Sequence, residues 1–148
     1  MDKGMKLLAL VLISAAVARA DDKPPSTEDA QVVSLADAKW KPAPARPEIP
    51  PGLQFSPFAV DPHTKGPIAY VKFPAGYKFP RHSHSHTEYS VLLAGNPILT
   101  LEGKPHPMAP GGYVVIPAKV KHSLDCGPDA ECILLIRRAG PTDYDFGK

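Results

Sequence analysis

Residues 81–88 carry the side chains of this sequence that are best suited to chemistry. His82 and His84 are separated by one residue, and alternate side chains of a β-strand point to the same face. Two imidazoles on one face can hold one ion, and Glu88 can supply a carboxylate from the same wall. His122, on another predicted strand, could close the set. Three neutral imidazoles and one carboxylate suit Fe(II), Mn(II), Ni(II), Cu(II) or Zn(II), and the sequence does not choose among these metals.

The other histidines are predicted to stand outside this set. His86 follows His84 by two residues, so both side chains would point to the same face of a continuous strand. We expect the chain to bend near Thr87, and we therefore interpret His86 as a neighbour of the site. His63 and His106 lie among turn residues and prolines, and we expect both to be solvated loop residues. A surface His-Ser repeat can also be a nonspecific metal-binding tract, which is the alternative explanation of this segment.

The spacing of glycines around the histidines matches a known motif. The pattern G-x5-H-x-H-x3-E-x6-G is followed without departure from Gly76 to Gly95. It is the first motif of the cupins. The second cupin motif, G-x5-P-x-G-x2-H-x3-N, is resembled by residues 111–126, where Lys119 replaces a glycine and Cys126 replaces the asparagine. The chain therefore resembles a small single-domain exported cupin over residues 52–138.

This resemblance implies an all-β fold, namely a single-domain double-stranded β-helix, or jelly-roll barrel. It also implies one divalent transition metal, held by His82, His84, Glu88 and His122. It identifies no catalytic residue and no site for an organic cofactor. Tyr70, Tyr77 and Arg81 are candidates to line the cavity.

The pattern of short apolar runs independently favours β-structure. Nineteen prolines disfavour a helical bundle, and turn signals recur about every eight to twelve residues, as in sandwiches and barrels. Residues 32–35 are predicted to form a short strand, and Trp40 is predicted to anchor the N-terminal region on the body. The remaining predicted strands are residues 68–73, 89–93, 98–101, 113–116 and 133–136.

The first residues have the pattern of a secretory signal peptide. Lys3 and Lys6 precede an apolar run that is too short to cross a bilayer as a helix, and Ala18 and Ala20 stand at positions read by a signal peptidase. A buried N-terminal helix is the alternative. Removal of residues 1–20 leaves equal numbers of acidic and basic residues, so no basic surface predicts nucleic-acid binding.

The predicted organisation therefore has four parts. Residues 1–20 are the signal peptide, residues 21–51 a flexible proline-rich segment, residues 52–140 the barrel and residues 141–148 a C-terminal tail. We expect a secreted or periplasmic protein with no membrane anchor after cleavage.

The two cysteines fit this location. Cys126 and Cys132 bracket a turn at residues 127–131, and an even cysteine count in an oxidising compartment predicts a disulfide. We expect the bridge to join two strands of a hairpin. Two free thiols are the alternative.

Two functions are compatible with these features. One is a metal-dependent enzyme of the dioxygenase, isomerase or decarboxylase type, acting on a small molecule. The other is a non-catalytic module that binds or senses a metal or a small ligand. One fold hosts many activities, so the resemblance does not separate them, and a homodimer is compatible with both. A further acid or base facing the cavity would favour the enzyme.

Overall fold

The structure is a computed structural model that describes residues 25–147. The predicted signal peptide, residues 1–20, lies outside these residues. Between residues 25 and 147 the regular structure is β-sheet, apart from a single 3-10 turn at Leu35–Asp37. No helix within this range is long and apolar enough to span a membrane. The all-β prediction is confirmed.

The strands of the described region form two antiparallel sheets. One sheet has six strands in the order β1-β2-β3-β10-β5-β8, and the other has four strands in the order β4-β9-β6-β7. The strands in chain order are β1 (Lys41–Pro42), β2 (Gln54–Val60), β3 (Pro67–Phe73), β4 (Lys78–His82), β5 (Glu88–Ala94), β6 (Ile98–Leu101), β7 (Lys104–Pro107), β8 (Tyr113–Ile116), β9 (His122–Asp125) and β10 (Cys132–Arg138).

Alternating burial explains why these sequences form strands that close around a core. In β10 the side chains of Leu134, Ile136 and Arg138 are buried, whereas Arg137 is exposed. β10 lies at the centre of the larger sheet and pairs with both β3 and β5. A period of two buries one face of a strand, and the inner faces of the two sheets enclose the apolar core. The five predicted strands between residues 68 and 136 are confirmed.

The strand predicted at residues 32–35 is wrong. Val32 is 98% exposed, and Leu35 begins the 3-10 turn. A strand needs a partner ladder, and residues 32–35 pair with no strand in the described range. The carbonyl of Val33 instead accepts a hydrogen bond from the Tyr70 hydroxyl at 2.9 Å. Trp40 contacts the body as predicted, since the Lys72 ammonium lies 4.2 Å from its ring centroid.

The proline-rich segment runs extended along the barrel. β1 pairs with β2, and the amide of Ala43 donates to the carbonyl of Leu53 at 2.9 Å. The Tyr77 hydroxyl donates to the carbonyl of Pro50. These contacts hold residues 41–50 against the larger sheet, where β1 is the edge strand beside β2.

The disulfide joins the two sheets and not two strands of one hairpin. The sulfur atoms of Cys126 and Cys132 lie 2.09 Å apart, and the Cα atoms 5.8 Å apart. β9 pairs with β4 and β6, whereas β10 pairs with β3 and β5. The predicted β9–β10 hairpin is therefore wrong, because the turn at residues 127–131 carries the chain from one sheet to the other.

Candidate metal centre

A β-bulge turns His82 into the barrel. In the β4–β9 pair, Phe79 lies opposite Leu124 and His82 lies opposite His122. The three-residue advance from Phe79 to His82 along β4 therefore lies opposite a two-residue advance from Leu124 to His122 along β9. The extra residue of a bulge reverses the alternation of side chains, so Phe79 and His82 both face the interior although they differ in parity. His82 and His122 thus meet as a cross-strand pair.

The other two predicted ligands reach the same place by a different route. The prediction of one strand carrying both His82 and His84 is wrong, because β4 ends at His82 and His84 follows in irregular chain. Glu88 does not lie on the same wall either. It begins β5 in the opposite sheet, after the chain has turned at residues 84–87. The site is therefore assembled from both sheets.

All four side chains converge in the interior. The Nε2 atoms of His82 and His84 lie 3.1 Å apart, and His84 Nε2 lies 3.3 Å from Glu88 Oε2. One ligand atom from each of the three histidines lies within 4.8 Å of the others. His82, His84, Glu88 and His122 are each 6% exposed or less.

Backbone carbonyls fix the orientation of each imidazole. His82 Nδ1 lies 2.8 Å from the carbonyl of Pro80, and His122 Nδ1 lies 3.0 Å from that of Val120. His84 Nδ1 lies 2.5 Å from the carbonyl of Asp143. A carbonyl oxygen only accepts, so the Nδ1 atoms of His82 and His122 carry the proton and their Nε2 atoms present lone pairs to the centre.

This donor set fits a bound cation. The facing lone pairs of His82 and His122 and the Glu88 carboxylate repel one another unless a positive charge lies among them. Imidazole nitrogens with one carboxylate are a ligand set typical of divalent transition metals. The histidine triad is positioned for metal binding.

Burial keeps His82 and His122 in the neutral form that binds metals. The pKa of His82 is lowered to about 3, chiefly by burial and then by the nearby His122. Burial also lowers the pKa of His122. For Glu88, burial alone would raise the pKa, but the contact with His84 and the charge of Arg138 together lower it to about 2. A carboxylate therefore persists in the interior.

Arg138 contacts two of the predicted ligands, although the sequence analysis did not single it out. Arg138 is 6% exposed, and its Nη2 donates to Glu88 Oε2 at 2.9 Å. Its Nη1 lies 2.6 Å from His84 Nδ1 and 3.5 Å from the Asp143 carbonyl. The sequence does carry a signal for this residue, because Arg138 lies two and four residues after the buried Ile136 and Leu134 of β10 and so shares their inward face.

The C-terminal segment, residues 141–147, covers the histidines. The Tyr144 ring centroid lies 5.2 Å from that of His84, and Phe146 lies 5.8 Å from His82. Asp145 forms a backbone bridge with Ser83. This long-range pairing leaves no periodic signal in a short polar tail, which is why the sequence did not reveal it.

The remaining candidate residues stand apart from the centre. His86 is half-buried and outside the triad, and its Nδ1 has no hydrogen-bond partner among residues 25–147. His63 lies in an exposed turn, bound to Glu28. The loop prediction for His106 is wrong, because it lies in the edge strand β7, although its side chain is exposed. Tyr70, Tyr77 and Arg81 do not line the cavity, since both hydroxyls bind carbonyls of the N-terminal region and Arg81 is exposed.

The cavity at the triad is small and mostly apolar. Its volume is about 40 Å³, and the polar residues that line it are His82, His122, Glu88, Ser90, Arg138 and Tyr144. This is room for a few water molecules beside the histidines. The remaining lining is aliphatic and aromatic, which lowers the local dielectric and strengthens the charged contacts.

Two facing antiparallel sheets around an inward histidine triad define a jelly-roll barrel with a candidate metal centre. Residues 69–136 match the family model described as Cupin domain. Residues 69–136 therefore form a cupin domain, as the motif spacing predicted. No curated protein sequence matches it.

Solved structures share this fold at low sequence identity. A cupin 2 conserved barrel domain protein from Rhodopseudomonas palustris has a TM-score of 0.64 at 16% identity, covering 76% of this chain and 79% of that one. A predicted oxalate decarboxylase from Thermotoga maritima has a TM-score of 0.62 at 18% identity, covering 73% and 97%. A structure of DMSP lyases has a TM-score of 0.61 at 13% identity, covering 75% of this chain and only 63% of that chain. These similarities show the fold alone.

Proposed function

We propose that this chain is an exported metal-binding cupin that acts as a metal-dependent enzyme on a small molecule. One observation carries the proposal. The Nε2 atoms of three buried imidazoles converge beside the Glu88 carboxylate, and each ring is held by a backbone carbonyl through Nδ1.

His82, His84, Glu88 and His122 would hold the ion. A divalent ion bound there supplies a Lewis acid that polarises an oxygen atom of a bound molecule. Arg138 holds the Glu88 carboxylate at 2.9 Å and so fixes the face that this ligand presents. The Asp143 carbonyl lies 2.5 Å from His84 Nδ1 and orients this imidazole so that its Nε2 faces Glu88. Iron, manganese, nickel, copper and zinc all remain candidates.

Tyr144 and Arg138 favour catalysis over simple metal storage. Both line the cavity of the triad, so a bound molecule would meet a phenol and a guanidinium as well as the metal. Burial raises the pKa of Tyr144, so the phenol keeps its proton and can donate a hydrogen bond. Solved structures with this fold include DMSP lyases and a predicted oxalate decarboxylase. Among the reaction classes expected from the sequence, decarboxylase chemistry has a named structural neighbour, and dioxygenase and isomerase chemistry are tested beside it.

A non-catalytic binding module is the second candidate. The cavity at the histidines holds about 40 Å³, and the rings of Tyr144 and Phe146 cover it. An enclosed set of ligands favours retention of a metal or a small ligand over turnover.

A turnover screen with a ligand-deficient control separates the two candidates. Protein isolated from the exported fraction is analysed for metals, and then tested for oxygen consumption and for conversion of small organic acids by NMR. We expect turnover in the wild-type protein and none in His122→Ala. Equal turnover in both proteins would contradict catalysis by this site. One metal per chain without any turnover would favour the binding module.

Export is proposed on two features. The signal-peptide pattern of residues 1–20 stands before a chain in which Cys126 and Cys132 lie at disulfide distance. Disulfides persist in oxidising compartments. Intact-mass analysis of the exported protein should give a chain that begins at Asp21, and a chain that retains Met1 would contradict cleavage.

A further inference from the structure

A second, larger cavity adjoins the candidate metal centre. Its volume is about 480 Å³, within the range of sites that bind small molecules. It lies between the inner face of β2, β3 and β10 and the proline-rich segment, and Thr142 and Tyr144 form a further side. We call this cavity the side chamber.

The walls of the side chamber are apolar. They are formed by aliphatic and aromatic side chains, including Ala43, Ile49, Phe55, Ala69, Val71 and Ile136. Two of these, Ala43 and Ile49, belong to the proline-rich segment, which is therefore part of the chamber. A ligand that fills the chamber needs an apolar body.

The charges that line the side chamber are all positive. Lys41, Arg46 and Arg138 line it, and no acidic residue is among the described lining residues. Arg138 is paired with Glu88 at 2.9 Å. Arg46 and Lys41 form no ion pair within residues 25–147. The chamber therefore offers two cations to an anion.

The side chamber and the metal centre share a wall. Phe55, Val71, Arg138 and Tyr144 line both cavities. The guanidinium carbon of Arg46 lies 5.5 Å from the Tyr144 ring centroid on the chamber side. The guanidinium carbon of Arg138 lies 5.3 Å from the same ring. A molecule in the chamber would thus be separated from the cavity at the histidine triad by this shared wall.

We propose that the side chamber binds a small organic carboxylate, with its carboxylate on Arg46 and its apolar body against the barrel wall. The proposal rests on the proposed function, because it places the small molecule next to the metal centre. The planar guanidinium matches the two oxygens of a carboxylate. Arginine and lysine also bind phosphate groups, so a phosphate ester is tested below as the competing anion.

Calorimetry with two matched probes tests the charge requirement. Hexanoate and its neutral amide, hexanamide, are titrated into the full chain loaded with Co(II). Hexanoate should bind at least tenfold more tightly than hexanamide. Arg46→Gln should weaken hexanoate about tenfold, because a charge-assisted contact is lost. Lys104→Gln, which removes an exposed charge on β7, should leave the affinity unchanged.

Several outcomes would overturn the proposal. Equal affinity for the acid and the amide, or unchanged hexanoate affinity in Arg46→Gln, would exclude anion binding by the chamber. Tighter binding of phenyl phosphate than of hexanoate would exclude the carboxylate preference.

Paramagnetic broadening tests the position of the chamber. Co(II) in the triad should broaden the NMR lines of bound hexanoate, whereas Zn(II) should not. Equal line widths with the two metals would place hexanoate away from the metal centre. This result would contradict binding in a chamber that adjoins the metal centre. If Co(II) fails to bind, the proposed metal function fails. Arg46-dependent binding of hexanoate to the metal-free chain would then still test the chamber.

Discussion

The two ends of the barrel interior are built from the same strands but have opposite chemistry. At one end the inward side chains are apolar, and the inter-sheet disulfide closes the core. At the other end the same strands turn imidazoles, a carboxylate and a guanidinium inward. Four strands each carry one buried apolar residue at the first end and one buried polar residue at the second end. These pairs are Phe79 and His82 in β4, Leu92 and Glu88 in β5, Leu124 and His122 in β9, and Leu134 and Arg138 in β10.

This contrast shows how the fold separates stability from chemistry. Burial of apolar area at the first end stabilises the fold by about 25 cal/mol per Å². Burial of His82, Glu88 and Arg138 at the second end opposes folding, because charged and polar groups lose water. We therefore expect core changes at the apolar end to alter stability, and changes at the histidine end to alter metal binding.

The largest effect on stability is expected at the apolar end. Leu92 is 0% exposed, so Leu92→Ala should lower the free energy of unfolding by about 2–5 kcal/mol through loss of burial and a cavity. Urea unfolding measures this change. Val115→Ala, at a side chain that is 44% exposed, should change it by less than about 0.5 kcal/mol. Similar losses in the two variants would contradict the placement of the core.

Acid should destabilise the metal-free protein through the histidine end. An unfolded histidine takes up a proton below its ordinary pKa of 6.5, whereas folded His82 does so only near 3. Likewise, unfolded Glu88 takes up a proton below 4.5, whereas folded Glu88 does so only near 2. The unfolded chain therefore binds more protons across this window, and stability should fall as pH falls from about 6.5 to about 2.

The midpoint of urea unfolding at pH 7, 5.5 and 4 measures this dependence. His82→Gln removes one of the groups whose pKa is lowered by folding, beside His122 and Glu88, so its stability should fall less between pH 6.5 and 4.5. An identical pH profile in this variant would show that the acid sensitivity arises elsewhere.

Reduction of the disulfide should have a moderate effect. The bridge closes a short loop, for which the chain-entropy model gives about 2 kcal/mol. Thermal unfolding with and without a reductant should show a lower melting temperature for the reduced protein. Most of the metal should remain bound, because Cys126 and Cys132 lie at the apolar end. Loss of the metal when the disulfide is reduced would show that metal binding depends on the apolar end, and would contradict the separation of the two ends.

The smallest effects are expected at two turns with left-handed backbone. Lys119 has a φ of 69° near the histidine end, and Gly76 has a φ of 72° near the apolar end. Lys119→Gly should stabilise the fold by about 0.5 kcal/mol, because relief of strain exceeds the entropic penalty of glycine. Gly76→Ala should destabilise it by about 1 kcal/mol. Chemical denaturation measures the change in the free energy of unfolding for both variants. Changes of the same sign in the two variants would contradict the left-handed backbone at these turns.

Alternation and motif spacing predicted much of the fold. The apolar runs located β3, β5, β6, β8 and β10, because a strand buried on one face repeats every two residues. The glycine and histidine spacing led to the side chains that converge in the interior. Both signals are local in the sequence, so they can be recognised without the fold.

Features that depend on distant parts of the chain were not predicted. The bulge before His82 becomes visible only in the pairing of β4 with β9. The crossing of the chain between sheets at residues 127–131 looks like a hairpin turn in sequence. The placement of Tyr144 over the histidines depends on the bridge between Asp145 and Ser83, for which the sequence carries no periodic pattern.

Metal affinity of a matched pair of histidine variants tests the central claim most directly. His84→Ala removes one of the three converging imidazoles, whereas His106→Ala removes an exposed imidazole of β7. Titration with Co(II) or Zn(II) should show one ion per chain in the wild-type protein and an unchanged affinity in His106→Ala. The affinity should fall by more than about 100-fold in His84→Ala, because outer-shell changes alone cost 10- to 100-fold. Equal loss in the two variants, or none in His84→Ala, would contradict the metal centre.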